Sequence, residues 1–156
     1  MMRMKQEERK FIELVERLME RWGYDRTGGK IYAILLLSSK PLTISELTKI
    51  TGLSRSSVSM ALSKLSREYL VTYTKEKKTK YFYAVPAFLE KFLQQPKEIL
   101  EREIKPLKEI VIKLSENSNE DEKSRFKDIL SDLSTLECVL KKIIELEEKE
   151  SECLKR

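Results

Sequence analysis

Apolar positions spaced three and four residues apart predict amphipathic helices at both ends of the chain. Over residues 5–22 one helix face is predicted to carry Phe11, Leu14, Val15, Leu18, Met19 and Trp22. Gly23 should end this helix, and after the loop GYDRTGG the more uniformly apolar residues 30–38 predict a buried second helix. From about residue 120 to the early 150s a heptad pattern predicts a long helix with a seam of Phe126, Ile129, Leu133, Leu136, Leu140 and Ile143.

Capping signals in the middle of the chain predict two shorter helices joined by a tight turn. Thr43 and Glu46 have the spacing of a capping box, which predicts a helix over about 44–51 that ends at Gly52. Ser54 is the expected N-cap of the next helix, about 55–68, and one face of that helix should bury Val58, Ala61, Leu62 and Leu65. Two such helices form a helix-turn-helix unit.

Residues 70–75 and 79–84 are rich in Val, Thr, Tyr and Phe, and they predict a β-hairpin. Lys77 and Lys78 lie between the strands, where a two-residue turn would prefer Gly or Asn, so we expect a longer, looser tip. A helix-turn-helix unit followed by a basic hairpin is a winged helix. The predicted fold class is mainly α with a small β-hairpin wing.

Prolines mark the segment that follows the hairpin. Pro86 is expected to open a helix at its permissive first turn. Pro96 should end or break that helix, and Pro106 should kink the segment that continues to Leu114.

The net charge of +5 is unevenly distributed. Residues 41–83 carry eight Lys or Arg against three Asp or Glu, whereas residues 84–156 carry fourteen against seventeen. A basic middle segment favours a polyanionic partner, and chance clustering on a solvated surface is the alternative.

The helix that begins at Ser54 has an unusual outward face. It holds serines, two arginines and a lysine, with no acid before Glu68. Serine is a mediocre helix former, so these side chains lack a folding reason. Short hydroxyls allow a helix to lie close in the major groove of double-stranded DNA, where arginine can bind guanine with two hydrogen bonds. The alternative is an ordinary surface on which Ser54 serves only as a cap.

The residues predicted to bind DNA come from the start of the first short helix, the outward face of the second and the hairpin. Capping alone already explains Thr43, and the hairpin lysines taken alone fit a solvated surface equally well. The full set is Thr43, Ser45, Ser54, Arg55, Ser56, Ser57, Ser59, Met60, Ser63, Lys64, Arg67, Lys75, Lys77, Lys78 and Lys80.

Several short motifs occur together between residues 20 and 90: Gly29-Lys30-Ile31-Tyr32, Leu35 to Leu37, Pro41-Leu42-Thr43, Gly52-Leu53-Ser54, Val58-Ser59 and Leu62 to Leu65. With them the chain resembles winged-helix transcriptional regulators of the GbsR branch of the MarR superfamily. It departs from that pattern at Arg55-Ser56, where a Lys-Gly pair is common, and in a wing without the usual glycine. The resemblance implies a homodimer whose first and last helices interlock, a recognition helix from each protomer on a pseudo-palindromic operator, and small effectors that change the spacing of the two heads.

These patterns predict three regions: an N-terminal dimerisation helix (1–24), a winged helix-turn-helix domain (25–85) and a C-terminal helical dimerisation region (86–156). Phe11, Leu14 and Leu18 and the seam over residues 126–143 need partner surfaces, and a bundle within one chain is the alternative to a dimer. A small-molecule effector would be expected near Trp22, Tyr24 and Phe88, although aromatic residues there are more often simple core.

Catalysis is not expected, because the chain has no histidine, no clustered cysteines, no Gly-rich phosphate loop and no nucleophile elbow. Neither a cofactor nor a metal is predicted. The absence of an eighteen-residue apolar run predicts no membrane span, and two separated cysteines, Cys138 and Cys153, favour the reducing cytoplasm. The alternative function is a winged-helix module that binds other proteins in a larger assembly without binding DNA.

Overall fold

The structure is a computed structural model, and it describes residues 4–148 of the 156-residue chain. The first half contains α1 (Gln6–Arg21), α2 (Arg26–Leu37), α3 (Ile44–Thr51), α4 (Arg55–Arg67), β1 (Val71–Glu76) and β2 (Thr79–Ala84). The second half contains α5 (Phe88–Ile99), a π-helical turn (Leu100–Ile104), α6 (Lys105–Glu116) and α7 (Glu120–Glu148). The chain forms two compact units, and the boundary in sequence lies between Ala87 and Phe88.

The first unit is a winged helix, which confirms the predicted fold class. Helices α3 and α4 form the helix-turn-helix unit, β1 and β2 pair in antiparallel fashion as the wing, and α1 packs on α2. The core consists of side chains from all these helices and from the base of the wing, among them Met19, Tyr32, Ile34, Leu47, Val58, Leu62, Leu65, Leu70 and Val71.

The second helix begins four residues earlier than predicted. The Asp25 side chain accepts a hydrogen bond from the Gly28 amide at 2.8 Å, and this N-cap starts α2 at Arg26. Gly28 and Gly29, which were assigned to the loop, therefore lie inside the helix. A Cβ atom on Gly29 would be 2.9 Å from the Cα atom of Glu16, so this glycine allows α1 and α2 to approach closely.

The wing is tighter than predicted. Glu76 pairs with Thr79, which leaves only Lys77 and Lys78 in the turn, and Lys77 adopts a left-handed φ of 57°. The prediction of a looser tip is wrong because Lys77 takes the conformation for which glycine or asparagine is usually selected. At the base of the wing, Leu42 exchanges two backbone hydrogen bonds of 2.8 Å with Phe82 and so joins the connector before α3 to β2.

The second unit is a helical assembly in which Pro96 does not act as predicted. Helix α5 continues through the buried Pro96 to Ile99, so the predicted break is wrong. Burial of the proline ring offsets part of the energy lost with the missing backbone hydrogen bond. The interruption instead takes the form of the π-helical turn at Leu100–Ile104, just ahead of Pro106 in the first turn of α6.

The heptad seam of α7 divides between two environments. Leu133 and Leu140 join Leu100, Ile104 and Val111 in the core of the second unit, and Phe126 packs against this core. Ile129 and Leu136 are 38% and 40% exposed, and Ile143 is half-buried. A bundle within the chain therefore accounts for one half of the seam and leaves the other half exposed.

Candidate nucleic-acid interface

Side-chain caps fix the corner between α3 and α4. The Glu46 amide donates to the Thr43 hydroxyl at 3.1 Å, and the Thr43 amide donates to the Glu46 carboxylate at 3.2 Å, which confirms the capping box. Gly52 ends α3 with a left-handed φ of 73°. The Ser57 amide donates to the Ser54 hydroxyl at 3.1 Å and starts α4 as predicted.

Helix α4 has one buried face and one open face. Val58, Leu62 and Leu65 are buried, as predicted, and Ala61 is half-buried. Ser57 is half-buried at the border, and the remaining side chains predicted to bind DNA on this helix are exposed: Ser54, Arg55, Ser56, Ser59, Met60, Ser63, Lys64 and Arg67. Of the two predicted residues at the start of α3, Ser45 is exposed and Thr43 is half-buried. The structure therefore brings these residues together at an accessible surface.

Hydrogen bonds divide this surface into two parts. At the N-terminal end of α4, Arg55 donates from Nη1 to the Ser45 hydroxyl at 2.8 Å, which links α4 to α3. Farther along the helix, the side chains of Ser59, Ser63 and Arg67 form no hydrogen bond or ion pair with any residue in the range 4–148. Their donors are therefore available to an external ligand.

Lys64 occupies a different position from the other cations. Its Nζ atom lies 3.4 Å from the Gly23 carbonyl oxygen, to which it donates, and 4.9 Å from the centre of the Tyr24 ring. These contacts hold α4 against the α1–α2 loop, beside a cleft of about 270 Å³. This contact was not predicted, because Gly23 and Lys64 are far apart along the chain.

The wing concentrates positive charge. Lys75 and Lys80 are directly opposite each other in the β1–β2 register, an arrangement in which like charges destabilise the hairpin. Lys80 lies 4.6 Å from the centre of the Tyr73 ring, while Lys77 and Lys78 are exposed in the turn. Within the described part of the chain, Lys75, Lys77 and Lys78 form no ion pair, so a polyanion would relieve their mutual repulsion.

Two tyrosines position the wing, and sequence reasoning missed both. The Tyr32 hydroxyl donates to the Val85 carbonyl at 2.6 Å and accepts from the Ala87 amide at 3.2 Å, which ties the end of the wing to α2. Tyr69 ends α4 with a φ of 64° and is 85% exposed. The Leu70 amide donates to the Leu65 carbonyl, and the Tyr69 amide donates to the Ser66 carbonyl. These two bonds form a Schellman motif, in which the residue at the left-handed position is usually glycine.

The residues predicted to mediate dimerisation lie on partly exposed faces. On α1, Ile12, Val15 and Met19 are buried, whereas Leu14 and Leu18 are 49% and 37% exposed and Phe11 is half-buried. Helix α1 therefore has an apolar face next to the one that packs on α2. The aromatic residues near which an effector was expected belong to different units. Trp22 and Tyr24 lie in the first unit and Phe88 lies in the second.

Residues 4–148 were also predicted to lack a metal site and a membrane span. No cluster of three or more His, Cys, Asp or Glu side chains there could hold a metal ion. None of the helices in this range has the length and apolar character needed to cross a bilayer. The Cys138 thiol is free and exposed, and Cys153 lies outside the described residues.

The first unit is thus a winged helix-turn-helix domain with an open, basic recognition surface. Comparison with known proteins points in the same direction. Residues 23–87 match the model of the family described as sugar-specific transcriptional regulator TrmB. The chain is also 32% identical over 60 residues to YvaV of Bacillus subtilis (strain 168), which is named as an HTH-type transcriptional regulator. That match covers 38% of this chain and 34% of YvaV, so it spans about a third of the relative's length.

One solved structure shows a similar fold over most of the chain. The crystal structure of a transcriptional regulator superimposes with a TM-score of 0.52 at 14% identity, over 92% of this chain and 99% of that one. A MarR/EmrR family transcriptional regulator from Acinetobacter sp. ADP1 gives a TM-score of 0.41 at 19% identity, over 81% and 85% of the two chains. The resemblance to winged-helix transcriptional regulators that the sequence motifs indicated is confirmed, and the family model that matches is TrmB.

Proposed function

We propose that this protein is a transcriptional regulator, not an enzyme, and that it binds double-stranded DNA through the outward face of α4 and the wing. The observation that carries the proposal is the combination of exposed serines on α4 with basic side chains that lack internal partners. Arg67 lies on α4, and Lys75, Lys77 and Lys78 lie on the wing. Short side chains permit close approach to base edges, and the cations neutralise phosphates.

In the proposed complex α4 lies in the major groove and the wing contacts the backbone or the adjacent minor groove. Arg55, at the start of α4, is the side chain placed to read a base, because its guanidinium is held at the α3–α4 corner by Ser45. The lysines of the wing supply affinity without sequence preference. A location in the cytoplasm is part of the same proposal, since Cys138 and Cys153 are too far apart along the helix predicted from the sequence to pair within it.

The regulator is proposed to act as a homodimer. The exposed apolar faces around Leu14 and Leu18 on α1 and around Ile129 and Leu136 on α7 support this proposal, because such faces are stabilised by a partner. Two-fold symmetry would set the recognition helices about 34 Å apart, one turn of DNA. A small effector could then act by changing that distance.

Binding to DNA at two salt concentrations tests the proposal. A dimer that neutralises six or more phosphates should lose about a thousand-fold in affinity between 50 and 200 mM salt. The double variant Lys77→Ala/Lys78→Ala should weaken binding to every sequence and reduce the salt slope. Lys123→Ala/Lys127→Ala, on the exposed side of α7, is the matched control for loss of charge.

Selection of a preferred site from random duplexes then tests the reading role of Arg55. Arg55→Ala should lower affinity for the selected site by about 1–3 kcal/mol and relax the preference at one position. No retention of any duplex at 50 mM salt would contradict the proposal and favour a protein-binding winged helix.

A further inference from the structure

A cavity of about 680 Å³ opens in the first unit at the C-terminal end of α2 and along one side of α3. Its volume is within the range of sites that bind small organic molecules. None of its lining residues belongs to the surface proposed to bind DNA. They are Leu37, Ser38, Ser39, Lys40, Leu42, Glu46, Lys49 and Ile50.

The cavity has an apolar floor and a basic rim. Leu42 is buried and Leu37 and Ile50 are half-buried, whereas Lys40 and Lys49 are exposed. An apolar group would therefore lose contact with water at the floor while a charged group stayed at the rim.

The charged side chains at the rim differ in whether they have hydrogen-bond or ion-pair partners. The Glu46 carboxylate accepts from the Thr43 amide and hydroxyl, both at 3.2 Å, and its other oxygen lies 3.9 Å from Lys40 Nζ. Lys49, in contrast, forms no ion pair or side-chain hydrogen bond with any residue between 4 and 148. Within the described residues, Lys49 thus contributes an unpaired cation to the lining of the cavity.

We propose that this cavity binds a small organic anion with an apolar body, such as a carboxylate on an alkyl or aryl chain. The anionic group would pair with Lys49 and reach Lys40, and the apolar body would cover Leu37, Leu42 and Ile50. A sugar fits the lining less well, because it carries hydroxyl groups around its whole ring. The side chains that line the cavity supply two serine hydroxyls, and that of Ser38 already donates to the Lys40 carbonyl.

The position of the cavity connects it to the winged helix. Leu42 is hydrogen-bonded to Phe82 of the wing, and Glu46 forms the capping box of α3. A ligand in the cavity would contact both residues. Binding of the anion does not depend on the proposed DNA function. An experiment can therefore contradict the anion proposal and leave the DNA proposal intact, or the reverse.

Titration of the isotope-labelled full-length chain with octanoate, followed by amide NMR shifts, tests the proposal. Octanoate should shift the amides of Leu42, Lys49 and Ile50 and should bind at least about tenfold more tightly than 1-octanol or acetate, because only octanoate has both features. Lys49→Gln should weaken octanoate binding by about tenfold to a hundredfold and leave 1-octanol unchanged, and Lys49→Arg should retain most of the affinity.

Lys113→Gln, on α6 in the second unit, is the matched control and should leave octanoate binding unchanged. The proposal is overturned if octanoate binds no more tightly than 1-octanol, or if it shifts amides elsewhere. Equal effects of Lys49→Gln and Lys113→Gln would also overturn it. These measurements need no DNA, and gel shifts report on the DNA proposal separately.

Discussion

Two residues near the recognition surface adopt left-handed backbone conformations, Tyr69 just before the wing and Lys77 at its tip. For residues other than Gly, Asn and Asp this region costs about 1–2 kcal/mol per residue. Tyr69 completes a helix end, so the Schellman hydrogen bonds offset its strain. Lys77 lies in an exposed turn without such a network, and its positive charge at the tip of the wing is consistent with a phosphate contact.

Replacing Lys77 by glycine should separate stability from DNA binding. Lys77→Gly relieves the strain at φ 57° and should raise the free energy of unfolding by about 0.5–1 kcal/mol, while it weakens binding to all DNA sequences. Lys78→Gly removes the same charge from a residue without a left-handed φ, so it should weaken DNA binding without a gain in stability. Urea denaturation and gel shift measure the two effects. Equal stability of the two variants would show that Lys77 is unstrained.

At the scale of elements, an ion-pair cluster joins α6 to α7. Lys108 donates to Glu137 at 2.6 Å, and Lys141 lies 3.1 Å from the other carboxylate oxygen. The hydrogen bond from Lys108, followed by that from Lys141, lowers the pKa of Glu137 to about 2. Because the folded pKa is below that of the unfolded chain, this cluster stabilises the fold above about pH 4.5 and loses its effect as the pH falls towards 2.

Neutralising Glu137 should therefore change the pH dependence of stability. Glu137→Gln should lower the melting temperature at pH 7, and the difference from the wild type should shrink between about pH 5 and pH 2. Glu103→Gln, an exposed carboxylate in the same unit that forms no ion pair within residues 4–148, should leave the pH profile unchanged. Thermal denaturation across this pH range is the measurement. If the difference in melting temperature between Glu137→Gln and the wild type stayed constant over this pH range, the destabilisation would come from lost packing and not from the lost charge.

At the scale of the whole molecule, exposed apolar residues on α1 and α7 support the proposed homodimer. Leu18 on α1 and Leu136 on α7 are 37% and 40% exposed, and each lies beside a face that its own unit buries. A single face would suffice for packing within a unit. The second face on each helix is the physical basis for the proposed dimer.

Charges placed on these faces should dissociate the proposed dimer. Leu18→Glu and Leu136→Glu each introduce two symmetry-related carboxylates into the interface, and each should weaken association by at least about a hundredfold. Ser131→Glu places the same carboxylate on an exposed polar position of α7 and should leave association unchanged. Sedimentation equilibrium measures the monomer–dimer constant. A wild-type protein that sediments as a monomer at micromolar concentration would contradict the dimer.

Local signals in the sequence were sufficient for the helix-turn-helix unit. The capping box at Thr43, the left-handed Gly52 and the cap at Ser54 act over three or four residues, so their spacing alone places α3 and α4. The alternation of Val58, Leu62 and Leu65 with exposed residues likewise predicts which face of α4 is open. These features depend on helix geometry, which is the same in every protein.

Contacts between distant segments were decided by the tertiary structure. Gly29 allows α1 to approach α2 at Glu16, Lys64 contacts the α1–α2 loop, and Tyr32 ties the end of the wing to α2. Tertiary contacts also decide which half of the α7 seam is buried, because α6 and the π-helical turn pack against Leu133 and Leu140. No spacing along the chain encodes such pairs, because they depend on the packing of whole elements in three dimensions. The sequence by itself thus determined the elements and the open face of α4, and the packing determined which of its cations stay free for a partner.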